Sequence, residues 1–161
     1  STPIAARDAL EQTDATMTAI LRDVEAYRPN SANLLSGGVD SSYIQAIYNQ
    51  EIARGPELPP SYCIAVDHPM TWIDTDYAIT ASIAIGTRHM LAPADGPYIG
   101  YLNETLAATA EPLNHVQSAY FASLARVMAE DGIRAGLCGE GADSLFGVGL
   151  ANKLHNAATV E

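Results

Sequence analysis

The run Ser36-Gly37-Gly38-Val39-Asp40-Ser41-Ser42 constrains this chain more than any other, because two different kinds of apolar stretch flank it. Before it, Ser31-Ala32-Asn33-Leu34-Leu35 is short and ends in two leucines, as a buried strand does. After it, Ile44, Ile47 and Tyr48 fall at helical spacing within a helix read from Tyr43 to Tyr48. The reading is strand, glycine turn, helix. Gly37 and Gly38 lack a Cβ, so the backbone can bend sharply and bring its N–H groups to an anion. A helix start adds unpaired N–H donors and the positive end of a dipole. Ser36, Ser41 and Ser42 add hydroxyls, and Asp40 is useful there when a divalent cation accompanies a phosphate. An ordinary strand-to-helix turn with an N-cap uses the same residue types.

The 161 residues suit one domain with a real core, and 48% hydrophobic content fits a globular chain. A formal charge of −11, with only 8 Lys and Arg, argues against a non-specific nucleic-acid surface. No apolar run reaches the length of a membrane span and no signal peptide opens the chain, so a cytoplasmic protein without membrane contact is expected. Cys63 and Cys138 form no CxxC pair and read as reduced thiols.

In chain order, Thr2-Pro3 reads as the start of a helix whose face is Leu10, Met17, Ile20, Leu21 and Val24, ending near Arg28-Pro29. Past the first turn and its helix, the connector from Arg54 to Pro60 leads into a second strand, Ser61 to Val66, apolar almost throughout. Asp67-His68-Pro69 ends that strand, a helix follows from Asp74 to Ile85, and Gly86 closes it. His89 to Ala92 is a third strand. Helices are expected from Tyr98 to Thr109 and from Val116 to Ala129, with a fourth strand from Ile133 to Cys138. Repeated strand-helix order implies a parallel α/β sheet with right-handed crossovers. The fourth strand runs into a second glycine turn, Gly139-Glu140-Gly141-Ala142-Asp143. Ligands of open α/β sheets gather at the carboxyl ends of strands, so both turns belong on one rim.

The first turn lacks the G-x-x-x-x-G-K-[ST] spacing of a Walker A loop. It resembles instead the pyrophosphate loop of the ATP pyrophosphatase superfamily. The segment Gly139-Glu140-Gly141-Ala142-Asp143-Ser144-Leu145-Phe146-Gly147 narrows that resemblance to the asparagine synthetase type, over residues 30 to 150. Members of that family activate a carboxylate as an acyl-adenylate, which an amine then attacks.

The resemblance implies an open parallel sheet with helices on both faces, ATP and Mg²⁺ as cofactors, and a site divided as follows. Ser36, Gly37, Gly38, Asp40, Ser41 and Ser42 would hold the pyrophosphate, with Asp40 also on Mg²⁺. Leu35 and Ile64 would flank the adenine. Asp74 would be a second Mg²⁺ contact, although an aspartate there also suits a helix N-cap. Glu111 would be the catalytic glutamate, with Ala110 touching the nucleotide through its backbone; first-turn helix charge is the plainer reading of Glu111. Gly139, Glu140, Gly141 and Asp143 would close the pyrophosphate side.

Residues 1–30 are expected to lead, as a helix, into a synthetase domain over 31–161. Against the family pattern, that domain is expected to be without the glutaminase half and without the C-terminal helical region that brings a catalytic lysine. A partner chain or a further segment is expected to supply that lysine. Ser144 and Val148-Gly149-Leu150 depart from the family pattern. The expected substrates are a small-molecule or peptide carboxylate and an amine or ammonia. The other expectation is a nucleotide-binding subunit or regulator without catalysis of its own.

Overall fold

The computed structural model describes residues 6–52, 58–66, 72–113 and 115–146. The expected features at Thr2-Pro3, Arg54 to Glu57, Asp67 to Pro69 and Val148 to Leu150 lie outside the described residues.

Helix α1 spans Ala6–Tyr27. It buries Leu21, with Met17 beside it, against Ile44, Ile47, Tyr48 and Ile52. Phenol hydroxyls fasten the same contact: Tyr43 donates to Asp14, and Tyr48 to Glu25. Asn30 takes a left-handed φ of 67°, turning the chain into β1, Ser31–Leu34. Helix α2 then runs over Val39–Ile47 and continues as a π-helical turn through Ile52. The remaining elements are β2 (Ser61–Val66), α3 (Trp72–Ile85), β3 (His89–Ala94) and α4 (Tyr98–Thr109). After them come a 3-10 turn (Val116–Tyr120), α5 (Phe121–Glu130), β4 (Ala135–Leu137) and α6 (Ala142–Phe146).

The four strands form one parallel sheet in the order β3-β2-β1-β4. The chain moves outward from β1 to β3, then returns past its start to lay β4 on the other side of β1. Strand order therefore reverses between β1 and β4, and such a switch point leaves a crevice at the carboxyl ends. Register fixes which residues share a face: Asn33 pairs with Leu137 on one side and Ser61 on the other. On one face Ala32, Tyr62 and Ala92 meet Leu124 and Met128 of α5. The opposite face carries Ser31, Asn33 and Ser61, polar yet at most 3% exposed. That polarity corrects the picture of strands apolar on both sides. These side chains bond outward: Asn33 to the Ser41 carbonyl of α2 at 2.8 Å, and Ser61 to His89 Nδ1 at 2.8 Å.

Several boundaries differ from the sequence reading, among them the start of α3, which is Trp72 and not Asp74. Helix α2 begins at Val39, because Gly38 is extended and serves as the N-cap, so Asp40, Ser41 and Ser42 are helical and not part of a loop. Strand β3 runs on to Ala94 through Pro93, which an edge strand tolerates. The expected helix from Val116 splits into a 3-10 turn and α5, and β4 keeps only three residues. Among the described residues no helix is long and apolar enough to cross a membrane.

Candidate nucleotide site

The turn after β1 is shaped by one glycine and fastened by two serines. Gly37 has φ +79°, and a Cβ there would lie 2.3 Å from the Tyr77 carbonyl carbon and 2.5 Å from the Ala78 nitrogen. The turn is thus pressed onto the backbone of α3, and only glycine fits. The Ser36 N–H donates to Ser41 Oγ at 3.2 Å, the two hydroxyls share a bond of 3.0 Å, and Ser41 Oγ reaches the Gly38 carbonyl at 3.3 Å. Asn33 holds the same first turn of α2 from below through the Ser41 carbonyl. The first N–H groups of α2 have no acceptor within the helix, and Gly38, Asp40 and Ser41 at that start line the cavity described below.

The second turn lies against the first. A Cβ on Gly139 would come 2.9 Å from Asp40 Cβ and 3.1 Å from the Ser41 nitrogen. Gly141, with φ +92°, turns the chain into α6. Both glycine turns therefore share one rim, beside the crevice between β1 and β4.

A cavity of about 550 Å³ opens there, a size common for small-molecule sites. Its polar end carries Ser36, Gly38, Asp40 and Ser41 from one turn and Gly139 and Glu140 from the other. Its apolar end carries Leu34 and Leu35 from β1 and its exit, Ile64 and Val66 from β2, and Tyr120, Phe121 and Leu124 from the 3-10 turn and α5. Gln117 and both cysteines also line it. A polar, N–H-rich end joined to an apolar slot matches a phosphate tail and a flat base.

Of the expected site residues, Leu35, Ser36, Gly38, Asp40, Ser41, Ile64, Gly139 and Glu140 come together around this cavity. Gly37 and Gly141 belong to the same two turns, and Ser42 and Asp143 to the helices that follow them, without lining it. Gly37 faces α3 instead. The N–H of Ser42 donates to the Gly38 carbonyl, and Gly141 accepts from Ser144 and Leu145. Asp74 is on α3, and its side chain lies outside the described residues. Ala110 and Glu111 follow α4, both exposed, and neither lines the cavity. Ala110 is the left-handed cap of α4 with φ 54°, and the Glu111 N–H donates to Thr109 Oγ at 3.4 Å. Glu111 thus lies after a helix C-terminus, where its charge gains nothing from a helix start.

The 3-10 turn was the largest omission from the sequence reading. Its shape rests on His115, whose Nδ1 accepts from the Gln117 N–H at 3.3 Å, and on Thr105, whose hydroxyl donates to the Ala119 carbonyl at 2.9 Å. Tyr120 is wedged edge-on between Tyr98 and Tyr101, both at 5.6 Å between ring centres. The crowding of tyrosines at 98, 101 and 120 was visible in the sequence, but nothing there said which ring faces a cavity.

No curated protein matches the chain. A family model described as asparagine synthase matches residues 15–159, and over that span lie both glycine turns, all four strands and the cavity between them. The chain therefore belongs to the asparagine synthase family, whose activity in general is ATP-dependent amide ligation.

Proposed function

We propose that this domain activates a carboxylate with ATP and hands the acyl group to ammonia or an amine. The observation that supports it most is the approach of Gly139 to Asp40, which brings the two glycine turns to one cavity that residues of both line. In the first step a carboxylate oxygen attacks the α-phosphorus of ATP. The bond from that phosphorus to the bridging oxygen breaks, and pyrophosphate leaves. In the second step the amine attacks the acyl carbon, AMP departs with the electron pair of the broken C–O bond, and the amine gives up a proton.

Chain residues take the following roles. Backbone donors at the start of α2, with Ser36 and Ser41, bind the phosphate tail and offset the charge that grows on the leaving pyrophosphate. Leu35 and Ile64 hold the base in the apolar end. Two carboxylates are candidates to accept the amine proton: Glu111, which follows α4 and is exposed, and Glu140, exposed in the cavity wall. Among the described residues no group of three or more metal-binding side chains occurs. Magnesium does not need one, since it keeps its waters and takes phosphate oxygens with one or two protein carboxylates. Asp40 would hold it, and the ion would supply positive charge beside the phosphates.

Exchange of labelled pyrophosphate into ATP tests the reading. Label enters ATP only when an acceptable acid is present, and Asp40→Ala lowers the rate by about a hundredfold or more. ATP binding without exchange for any acid would leave a nucleotide-binding subunit.

A further inference from the structure

Gln117 enters the cavity wall from the 3-10 turn and not from a glycine turn. We propose, on the nucleotide-binding part of the reading above, that Gln117 reads the edge of the base. Its carboxamide accepts from the exocyclic amino group of adenine and donates to the ring nitrogen beside that group. An edge that sets a donor next to an acceptor needs a partner with the same pair reversed, and a carboxamide is such a pair. Among the described residues that line the cavity, Gln117 is the one carboxamide. Asp40 and Glu140 are carboxylates that only accept, Ser36 and Ser41 are bonded to each other, and the Tyr62 hydroxyl is given to Asp131. The Gln117 backbone N–H goes to His115 Nδ1, whereas its side chain is exposed and bonds to no described residue. The fold puts this turn on the base side. Tyr120 of the same turn packs against Ala94, Tyr101 and Ala119, and so do Ile64 and Val66 at the end of β2. Ile64 is one of the two residues that hold the base. Thr105 fastens the turn through the Ala119 carbonyl, so binding has to order only the Gln117 side chain. A carboxamide can turn over, and in that orientation it fits the ring N–H and the carbonyl of guanine. Gln117 therefore rewards a base with a paired donor and acceptor, and does not by itself exclude guanine.

Titration calorimetry on the whole chain, with Mg²⁺ present, compares ATP, GTP and purine riboside triphosphate, which lacks the amino group. ATP is expected to bind about fivefold tighter than purine riboside triphosphate. Gln117→Ala should erase that preference, bringing ATP down to the affinity of the analogue. Gln117→Glu should reverse a sign. Its carboxylate meets the lone pair of the adenine ring nitrogen and weakens ATP, yet accepts from two adjacent N–H groups of guanine and tightens GTP about threefold. Thermal melts of both variants should match the native chain, since the side chain is exposed. Equal affinity of the native chain for ATP and purine riboside triphosphate overturns the proposal. So does a Gln117→Ala variant that keeps the ratio between them, or a Gln117→Glu variant that weakens ATP and GTP alike. Failure of all three nucleotides to bind the native chain overturns it too, together with the nucleotide site. The ligase reading fails separately: base preferences that follow Gln117 in a chain without pyrophosphate exchange support this inference and leave a nucleotide-binding subunit.

Discussion

Gly139 and Asp40 are far apart in the sequence, yet a single added carbon on Gly139 would stand 2.9 Å from Asp40 Cβ. The close fit joins the turn after β4 to the first turn of α2. Gly139→Ala should push the two apart, at a cost of about 1–3 kcal/mol in stability for overpacking. ATP binding should weaken by about tenfold, the equivalent of about 1.4 kcal/mol. Gly100→Ala in α4 is the control, since nothing lies within 4 Å of the added carbon. It should stabilise by about 0.5–1 kcal/mol and leave ATP binding alone. Thermal melts and calorimetry on both variants check the pair.

Gly37 faces a harder limit. Its φ of +79° already excludes most side chains, and the carbon added in Gly37→Ala would overlap the backbone of α3 at 2.3–2.6 Å. Backbone cannot swing aside as a side-chain tip can. The expected loss is about 3 kcal/mol or more, read from urea midpoints, and any folded fraction should bind ATP poorly.

Asn33 is fully buried beneath α2 and donates to the Ser41 carbonyl. Asn33→Ala removes that donor and leaves a small void, for a loss of about 1–3 kcal/mol. Because Ser41 also holds Ser36, the loosened turn should weaken ATP binding several-fold. A variant that loses stability but keeps full ATP affinity would show that Asn33 supports the sheet and not the turn.

His89 makes the fold sensitive to acid. Burial holds its imidazole below the ordinary histidine value. Nδ1 is bonded to Ser61, and Nε2 is buried with no partner among the described residues, so the proton gained by an imidazolium goes unpaired on one side. Between the depressed value and the ordinary one, near about 6.5, the unfolded chain binds more protons than the folded one. Stability therefore rises with pH across that window, and is lost as pH falls from about 6.5 toward the depressed value. His89→Gln keeps a partner for Ser61 and removes the titration, so its urea midpoint should vary less between about pH 7.5 and about pH 5.5.

The sequence by itself determined the order and kind of the elements. Glycine turns, apolar strands and helical periods are local, and Gly37-Gly38 between a short apolar strand and a helical period already signals a bend, although the helix behind it begins at Val39 and not at Tyr43. It also determined that two such turns share a rim, because parallel strands with helical crossovers put all their carboxyl ends on one side. What it could not hold was the partner of each residue across the sheet. Asn33 and Ser61 read as interruptions in apolar strands until register set them against α2 and His89. Glu140 and Glu111 look alike as carboxylates beside special backbone, and only the structure places Glu140 in the cavity wall and Glu111 after the left-handed cap of α4. The wall made by Tyr120 and Phe121 depends on where a 3-10 turn breaks a helix, and long-range contacts from Thr105, Tyr98 and Tyr101 set that break. Local rules act within a few residues, whereas a cavity is the meeting of segments far apart in the chain, and only tertiary packing decides it.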